Sequence, residues 1–248
     1  MPAFNAATTV RASIRTLLGQ TFADWEAIIV DDGSTDATLA ILHALEKEDA
    51  RIHAFTQLNQ RQAAARNAGI EHARGRYIAF LDADDLALPE RFAKQVAFLD
   101  EHPEITVLGG GRINYDAFTG AELGTYLHPE KHEALCASIF TQCPFSTSSV
   151  MVRTEFFQQR RFDQAMPLCE DHDLWIRSYR DPGVGFHNLQ EPLIRYACRQ
   201  RIGWSHYWQM SRMYFHALKA EGRWPRDAWY AMRPLLAAAR TNPLFRGS

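Results

Sequence analysis

Residues 27–36 read AIIVDDGSTD, an apolar run that stops at two aspartates and continues into a glycine and polar residues. The apolar run predicts a short buried strand, and Ser34 or Thr35 can cap a helix that begins after it. In open parallel sheets, ligands bind beyond the carboxyl ends of the strands, which is where Asp31 and Asp32 stand. The same residue types suit an ordinary turn before a capped helix, so this stretch alone leaves both interpretations open.

Outward from this stretch, the hydrophobic pattern alternates helices with strands. Helices are predicted at about 6–18, 35–45, 62–73, 89–101 and 170–179, and strands at 27–30, 52–55, 77–81 and 149–152. The glycine run 109–111 is interpreted as a junction between two halves of the chain. Strands that alternate with helices predict a parallel sheet with helical crossovers.

A second acidic cluster follows the most apolar predicted strand, where residues 77–85 read YIAFLDADD. Asp82, Asp84 and Asp85 repel one another, and a cation would stabilise them. Acid pairs with one residue between them suit Mg²⁺ or Mn²⁺, hard ions that bind carboxylate, water and phosphate oxygens. A solvated acidic loop is the alternative, but the position after so apolar a strand favours a metal site.

A third acidic cluster opens the predicted helix 170–179 with the sequence Glu-Asp-His-Asp. Acids in a first turn stabilise a helix through its dipole, which accounts for the cluster without a function. A carboxylate at a helix start is also well placed to act as a base, because it projects from a rigid element. Glu170 and Asp171 are therefore candidate catalytic residues.

The overall composition is that of a soluble globular chain, with 46% hydrophobic and 23% charged residues. These values exclude intrinsic disorder and fibrous repeats. No run of 18 apolar residues and no signal-peptide pattern occurs, so a cytoplasmic protein is predicted. The four cysteines form no CxxC pair and are predicted to be reduced structural thiols. With a net charge of −2, no nucleic-acid partner is predicted.

Residues 199–248 differ from the rest of the chain, because they hold nine basic residues, two acidic residues and four of the six tryptophans. Aromatic and basic side chains together suit an anionic membrane surface or a phospholipid-linked substrate. A helical subdomain whose aromatic side chains pack on the core explains the composition equally well. Peripheral contact with the inner face of a membrane is thus one of two open interpretations.

Six stretches together resemble a family 2 glycosyltransferase of the GT-A fold. They are MPAFNA (1–6), QTF (20–22), VDDGSTD (30–36), ARNAGI (65–70), YIAFLDADD (77–85) and EDHDLWIR (170–177), in the family's order. The resemblance implies an α/β fold with a Rossmann-like, mostly parallel sheet flanked by helices and a helical C-terminal extension. It divides the chain into a nucleotide-sugar-binding half (1–108), an acceptor-binding and catalytic-base half (109–198) and a basic aromatic helical extension (199–248).

The resemblance also implies roles for individual residues. Asp32 matches the aspartate that reads the nucleotide base, and Asp171 matches the general base. The implied donor-binding residues are Pro2, Ala3, Phe4, Asp31, Asp32, Arg61, Asp82 and Asp84. The implied metal site consists of Asp84 as the direct ligand, with Asp82 and Asp85 in support.

The activity that the resemblance implies is transfer of a sugar from a nucleotide diphosphate, usually UDP, with inversion at the anomeric carbon. A divalent ion, Mg²⁺ or Mn²⁺, neutralises the departing diphosphate as a Lewis acid. The acceptor is expected to be a saccharide or a lipid-linked saccharide in cell-envelope or exopolysaccharide synthesis.

One feature departs from the resembled family, whose members begin with an apolar strand just before the segment that matches Pro2 to Asn5. In the resembled fold this strand lies in the middle of the sheet. Its loss removes about five apolar side chains at about 1.5 to 3 kcal/mol each, which approaches the whole stability of a domain, about 5 to 15 kcal/mol. In this sequence only Met1 precedes the segment, so the first strand is expected to be missing. Because a domain could hardly tolerate that loss, the start is expected to be truncated or misassigned.

Two other functions stay open. A nucleotidyltransferase also uses paired acids and a metal on a parallel sheet, but the glycine- and lysine-rich phosphate loop expected near its start is not seen. A non-catalytic module that binds sugar nucleotides would share the donor residues. Titration with UDP and Mn²⁺, alongside donor hydrolysis, separates a binding module from an enzyme.

Overall fold

The computed structural model describes residues 1–166, 168–198 and 204–241 of the chain. Residues 199–203 and 242–248 of the predicted basic extension lie outside the described residues. The helices are α1 (Val10–Leu18), α2 (Thr38–Glu48), α3 (Arg61–His72), α4 (Arg91–Glu101), α5 (His132–Ser138), α6 (Glu170–Ser178), α7 (Trp204–Ala220) and α8 (Ala228–Thr241). The strands are β1 (Pro2–Ala3), β2 (Ala27–Asp31), β3 (Ile52–Thr56), β4 (Tyr77–Ala79), β5 (Leu86–Ala87), β6 (Val107–Asp116), β7 (Glu122–Tyr126), β8 (Met151–Arg153) and β9 (Phe186–Cys198).

The N-terminal sheet is parallel and has the order β1, β2, β3, as the alternating pattern predicts. Its strands are short apolar runs, and Ile29 and Ile52 are fully buried. Helix α1 buries Ile14, and α2 buries Leu42 and Leu45, in one core cluster with these strands. Because all three strands run in the same direction, the carboxylates that end β2 stand at one edge of the sheet.

The sequence predicts that the first strand is missing, and the structure has only the two-residue strand β1 at this place. Pro2 and Ala3 pair with Val30 and Asp31, and the Met1 amine donates to the Ile28 carbonyl at 2.8 Å. β1 therefore pairs only with the carboxyl end of β2.

Next to the amino end of β2 lies a cavity of about 770 Å³. It is lined by residues of β2, β4, α3 and α4, so both the N-terminal sheet and the second sheet contribute to its wall.

The second sheet has six strands in the order β4, β8, β6, β9, β5, with β7 paired to the outer part of β6. Strands β6 and β9 run parallel over their length, and the other pairs are antiparallel. Arg91 at the start of α4 connects that helix to this sheet. Its Nη2 donates to the carbonyl of Phe80, which follows β4, at 2.8 Å and to the carbonyl of Val150, which precedes β8, at 3.2 Å. The end of β4 is therefore fixed where the acidic loop begins.

The interpretation of residues 109–111 as a junction is wrong, because all three glycines lie inside β6. Neighbouring groups approach β6 too closely for side chains. A Cβ at Gly109 would stand 2.6 Å from the Phe145 ring, and one at Gly110 would stand 2.4 Å from the Leu193 side chain. The run is therefore explained by close packing on the strand rather than by a turn.

The predicted cap of α2 also needs correction. The helix begins at Thr38, and the backbone amide of Thr38 donates to Asp36 Oδ1 at 2.9 Å. The Ser34 hydroxyl accepts instead from the Asn5 amide at 2.9 Å. The first helix likewise begins at Val10 rather than near residue 6, and β4 ends at Ala79.

The C-terminal extension is helical, as predicted, and α7 and α8 pack against each other. Tyr214 and Leu218 on the inner face of α7 are buried in the same core cluster as Phe140. The Tyr179 hydroxyl donates to Glu221 Oε1 at 2.7 Å and ties the pair of helices to the end of α6. In the described part of the chain, no helix is long and apolar enough to cross a membrane.

Candidate active site

The acidic loop 82–85 lies beside the N-terminal sheet because α1 holds it there. The Ser13 hydroxyl, buried on α1, donates to the carbonyl oxygens of Asp82 and Asp85 at 3.2 and 2.7 Å. Just before α1, the Ala7 amide donates to Asp36 Oδ2 at 3.1 Å, so α1 and the segment that precedes it contact both the acidic loop and the cluster that follows β2.

The Asp32 carboxylate is buried and accepts hydrogen bonds from the turn that precedes α3. Its Oδ1 accepts from Gln57 Nε2 at 2.7 Å and from the Gln60 amide at 2.8 Å, and its Oδ2 accepts from the Arg61 amide at 2.7 Å. Arg61 has a positive φ of 72°, which these bonds help to hold. Asp32 therefore fixes the turn that presents Arg61 at the surface.

Asp31 is buried beside it and is less fully bonded. Its Oδ2 accepts from the Ser34 amide at 3.3 Å and from the Thr56 hydroxyl at 3.2 Å. Its Oδ1 makes no hydrogen bond within the described residues. A buried carboxylate oxygen without a donor is costly, so the end of β2 offers an acceptor to an incoming N–H or O–H group.

Residues 2–4 lie at the same place, but only one side chain is accessible. Pro2 and Ala3 are buried in β1, and the Ala3 carbonyl accepts from the Asp32 amide at 2.8 Å. Phe4 is 50% exposed and follows directly. The structure thus gathers the predicted donor residues 2–4, 31, 32 and 61 at the ends of β1 and β2 and the start of α3.

Arg66 on α3 joins the acidic loop to the start of α6. Its Nη2 donates to Asp82 Oδ1 at 2.9 Å, and its Nη1 forms a short ion pair with Glu170 Oε1. The guanidinium is almost completely buried. Burial lowers the pKa of Arg66, but Asp82 and Glu170 outweigh it and hold the pKa above its ordinary value. Burial raises the pKa of Glu170, and Arg66 opposes that shift.

The short 3-10 turn Thr147–Ser149 makes a second connection between the same two segments. The Ser148 hydroxyl accepts from the Asp82 amide at 3.1 Å, and the neighbouring Thr147 hydroxyl donates a short hydrogen bond to Asp171 Oδ2. Asp171 Oδ1 accepts from the His172 amide at 2.7 Å. The candidate base is therefore oriented by groups on both sides while its carboxylate stays partly accessible.

The three carboxylates of the acidic loop have different surroundings. Asp82 is paired with Arg66, and Asp85 is buried, with its Oδ1 accepting from the Ala197 amide at 2.8 Å. Asp84 is partly exposed, and its carbonyl accepts from the Tyr115 hydroxyl at 2.9 Å.

Over residues 1–166, 168–198 and 204–241, no three histidine, cysteine or acidic side chains converge on one point as a ready metal site. The donor chemistry of the acidic loop still fits a hard divalent ion that binds one or two carboxylates and completes its shell with water and phosphate oxygens. It does not fit an ion enclosed by protein ligands alone.

The stability of the protein is expected to depend on the ionisation of Asp85. Burial, with a further contribution from Asp82, raises the pKa of Asp85 from 3.8 to about 8. The folded state therefore keeps a proton that the unfolded state releases, so stability falls as the pH rises between about 4 and 8. Asp85→Asn cannot ionise, and in EDTA we expect its Tm to equal that of the parent near pH 4 and to exceed it by about 2–4 °C or more at pH 8.

Asp84→Asn is the matched control, because it removes an acid from the same loop at a solvent-accessible position. Thermal unfolding of the three proteins across this pH range makes the comparison. An equal gain in both variants would mean that general repulsion in the loop, rather than burial of Asp85, sets the pH dependence.

Sequence reasoning missed Arg66 and Thr147 as site residues. Arg66 lies in the quoted stretch 65–70, and the available signal was a single arginine in an alanine-rich helix segment whose neighbours are buried. Thr147 gives no signal in the sequence, because threonine is common in turns and its partner is 24 residues away.

The chain is similar in sequence to known glycosyltransferases. Residues 1–161 match the sequence model of the family described as Glycosyl transferase family 2. The chain is 34% identical over 200 residues to the putative glycosyltransferase EpsE of Bacillus subtilis, covering 79% of this chain and 70% of that protein. It is 30% identical over 190 residues to WfgD of Escherichia coli, a UDP-Glc:alpha-D-GlcNAc-diphosphoundecaprenol beta-1,3-glucosyltransferase, covering 76% of this chain and 71% of that protein.

Other similar proteins are longer. The chain spans 25 to 30% of the length of three uncharacterised glycosyltransferases of Rickettsia species, to which it is 32 to 34% identical.

Solved structures share the fold. S. aureus TarS 1-349 in complex with UDP-GlcNAc superposes with a TM-score of 0.66 at 20% identity, covering 88% of this chain and 64% of that chain. The mannosyltransferase PcManGT from Pyrobaculum calidifontis, in complex with GDP-Man and Mn2+, has a TM-score of 0.65 at 16% identity, covering 97% and 74%.

Proposed function

This chain belongs to glycosyl transferase family 2, and from that premise we propose that it transfers a sugar from a UDP-sugar to an acceptor hydroxyl with inversion at the anomeric carbon. The observation that carries the proposal is the double connection between the acidic loop and α6. Through Arg66 on one side and the turn 147–149 on the other, Asp82 is fixed relative to Glu170 and Asp171. A fixed distance between a diphosphate-binding loop and a base is what a displacement reaction needs.

The donor nucleotide is proposed to bind at the ends of β1 and β2. The unbonded Asp31 Oδ1 can accept from a base N–H or a ribose hydroxyl, and the half-exposed Phe4 ring offers an apolar surface beside it. Asp32 holds the turn from which Arg61 projects. The similarity to a protein solved with UDP-GlcNAc supports UDP as the nucleotide.

The leaving diphosphate is proposed to lie at the acidic loop, with a Mg²⁺ or Mn²⁺ ion held by Asp84 and supported by Asp82 and Asp85. When bound, such an ion neutralises the negative charge that accumulates on the departing diphosphate. Similarity to a mannosyltransferase solved with Mn2+ supports this assignment. Arg66 keeps Asp82 in place through its ion pair, so the loop retains its shape before the ion arrives.

Asp84→Ala is expected to weaken binding of UDP in the presence of Mn²⁺ by at least about tenfold, because the accessible carboxylate of the loop is lost. Binding of UDP in EDTA should change little, since Asp84 is not among the residues proposed to contact the base and the ribose. Isothermal titration with and without Mn²⁺ measures both. Equal affinity of parent and variant in Mn²⁺ would refute Asp84 as the metal ligand.

Asp171 is proposed as the general base. Its carboxylate takes the proton of the acceptor hydroxyl while the acceptor oxygen bonds to the anomeric carbon and the diphosphate leaves from the opposite face. The Thr147 hydroxyl and the His172 amide orient the carboxylate for this step. Glu170 is bonded to Arg66, so we assign it to positioning of the site rather than to proton transfer.

The acceptor is proposed to be a saccharide carried on a lipid in cell-envelope polysaccharide synthesis, with the protein at the cytoplasmic side of the membrane. Similarity to WfgD, which acts on a diphosphoundecaprenol-linked sugar, supports this acceptor class.

A screen of nucleotide sugars for thermal stabilisation with Mn²⁺, followed by assays of UDP release and sugar transfer, tests the whole proposal. UDP-sugar binding without turnover on any saccharide acceptor would favour a non-catalytic binding module instead. Release of pyrophosphate rather than a nucleoside diphosphate would favour a nucleotidyltransferase.

A further inference from the structure

The C-terminal pair of helices exposes large apolar side chains that nothing in the described structure covers. Trp208 on α7 is 53% exposed, Trp224 between the helices 39%, and Trp229 and Met232 on α8 are 59% and 53% exposed. Tryptophan and methionine side chains of this size stabilise a protein mainly when they are removed from water. Their exposure together on one pair of helices marks a contact surface.

Helical spacing places these residues on a defined face of α8. Trp229, Met232, Arg233 and Leu236 recur at intervals of three and four residues and therefore share one face. All four are exposed, whereas Ala231 points inward and is buried in the core cluster. One face of α8 therefore packs on the protein, and the opposite face exposes three apolar side chains and one arginine to solvent.

The charges around these side chains are positive. Among the described side chains of α7, α8 and the turn between them, the exposed charged residues are Arg212, Lys219, Arg226 and Arg233. The two acids, Glu221 and Asp227, are partly buried and paired with Arg223 at 3.4 and 2.7 Å. Arg226 approaches Asp227 at 3.6 Å but stays mostly in solvent.

We propose that this surface, which we call the hairpin surface and define as Trp229, Met232, Arg233 and Leu236 on α8 with the preceding Arg226, binds an anionic lipid bilayer. Tryptophan rings and aliphatic side chains enter the boundary between headgroups and acyl chains, and the arginines bind lipid phosphates. The inference deepens the proposed function, on which it rests for the acceptor, because a sugar carried on a lipid is reached only by an enzyme held at the bilayer.

Charge complementarity supports this occupant, and it disfavours a symmetric dimer through this surface, which would bring two positively charged surfaces together. The segment 199–248 carries a net charge of +7, and the remaining residues carry −9. An anionic membrane attracts the first and repels the second, so the protein would dock in one orientation.

Sedimentation with lipid vesicles tests the proposal. We expect the full chain to bind vesicles that contain phosphatidylglycerol, to bind pure phosphatidylcholine vesicles weakly, and to lose binding as salt is raised. The double variant Trp229→Ser with Met232→Ser should bind at least about tenfold more weakly to both kinds of vesicle. The double variant Arg226→Glu with Arg233→Glu should lose the preference for the anionic lipid, by at least about tenfold.

Matched controls come from other exposed positions. Phe118→Ser with Leu123→Ser removes two apolar side chains, 79% and 58% exposed, from the β6–β7 hairpin. Lys47→Glu with Arg74→Glu reverses two exposed charges outside the hairpin surface. Both controls should bind vesicles like the parent, and circular dichroism should show that all variants are folded.

Three results would overturn the inference. The first is that the parent does not bind anionic vesicles. The second is that the control variants lose as much vesicle binding as the two variants of the hairpin surface. The third is a dimer in solution that the Trp229 and Met232 substitutions dissociate without any effect on vesicle binding. UDP release without vesicles is measured in parallel and should be unchanged in all variants. If the parent releases no UDP but still binds vesicles, the proposed function is refuted and the membrane-binding surface is not.

Discussion

Replacing Asp171 by asparagine is expected to lower the turnover number by about 10² to 10⁴ while leaving the affinity for UDP-sugar and Mn²⁺ nearly unchanged. Asparagine keeps the size of the side chain, and its one amide oxygen can still accept from the His172 amide. Its Nδ2 then faces the Thr147 hydroxyl, which can turn its proton away and accept instead of donating. It cannot take a proton at neutral pH. The loss should therefore fall on the chemical step, and isothermal titration with the intact donor should give the parent affinity.

Asp173→Asn is the matched control for this experiment. Asp173 lies in the same first turn of α6, but its carboxylate is bonded to Arg177 at 2.7 Å. Like Asp171→Asn, this control removes one negative charge from the first turn of α6, so both variants weaken the interaction with the helix dipole. Turnover of Asp173→Asn should stay within about threefold of the parent. A similar loss in both variants would mean that the charge of the helix start, not proton transfer by Asp171, matters for the rate.

The parts of this site that could be predicted are those that depend on neighbouring residues in the chain. The run 27–31 is apolar up to its aspartates, so both the strand and the place of Asp31 at its end follow from local pattern. The start of α6 at Glu170 was predicted for the same reason, because acids at a helix start favour the helix that presents them. Family resemblance then gave these residues their proposed roles.

The parts that could not be predicted depend on contacts between distant residues. Arg66 reaches Glu170 across 104 residues of sequence, and no periodicity encodes which carboxylate a buried guanidinium will meet. The glycines 109–111 were interpreted as a junction because glycine favours turns. Their structural reason is the approach of Phe145 and Leu193 from other elements, which is visible only after folding.

Substitution of Arg66 by methionine is expected to be the most destabilising of the changes considered, by about 3 to 5 kcal/mol at pH 8, because it leaves Glu170 buried and Asp82 half-buried without their cation. Methionine fills a similar volume, so the loss measures charge rather than a cavity. Since burial already raises the pKa of Glu170, removing Arg66 should raise it further, and the loss of stability should shrink as the pH falls and Glu170 gains a proton.

A double-variant cycle separates this electrostatic loss from a packing defect. Adding Glu170→Gln to Arg66→Met removes one of the orphaned carboxylates, and the pair should regain about half of the lost free energy of unfolding while turnover stays low, because Asp82 is no longer held. Arg153→Met is the control, since Arg153 donates to the carbonyls of Ile105 and Leu99 and has no carboxylate partner among the described ion pairs. Its loss should not depend on pH between 5 and 8. Urea unfolding of Arg66→Met, Glu170→Gln, the double variant and Arg153→Met across this range decides the matter. A loss in Arg66→Met that is independent of pH and unrelieved by Glu170→Gln would show that Arg66 acts through packing alone. The acidic loop would then need another explanation for its fixed position.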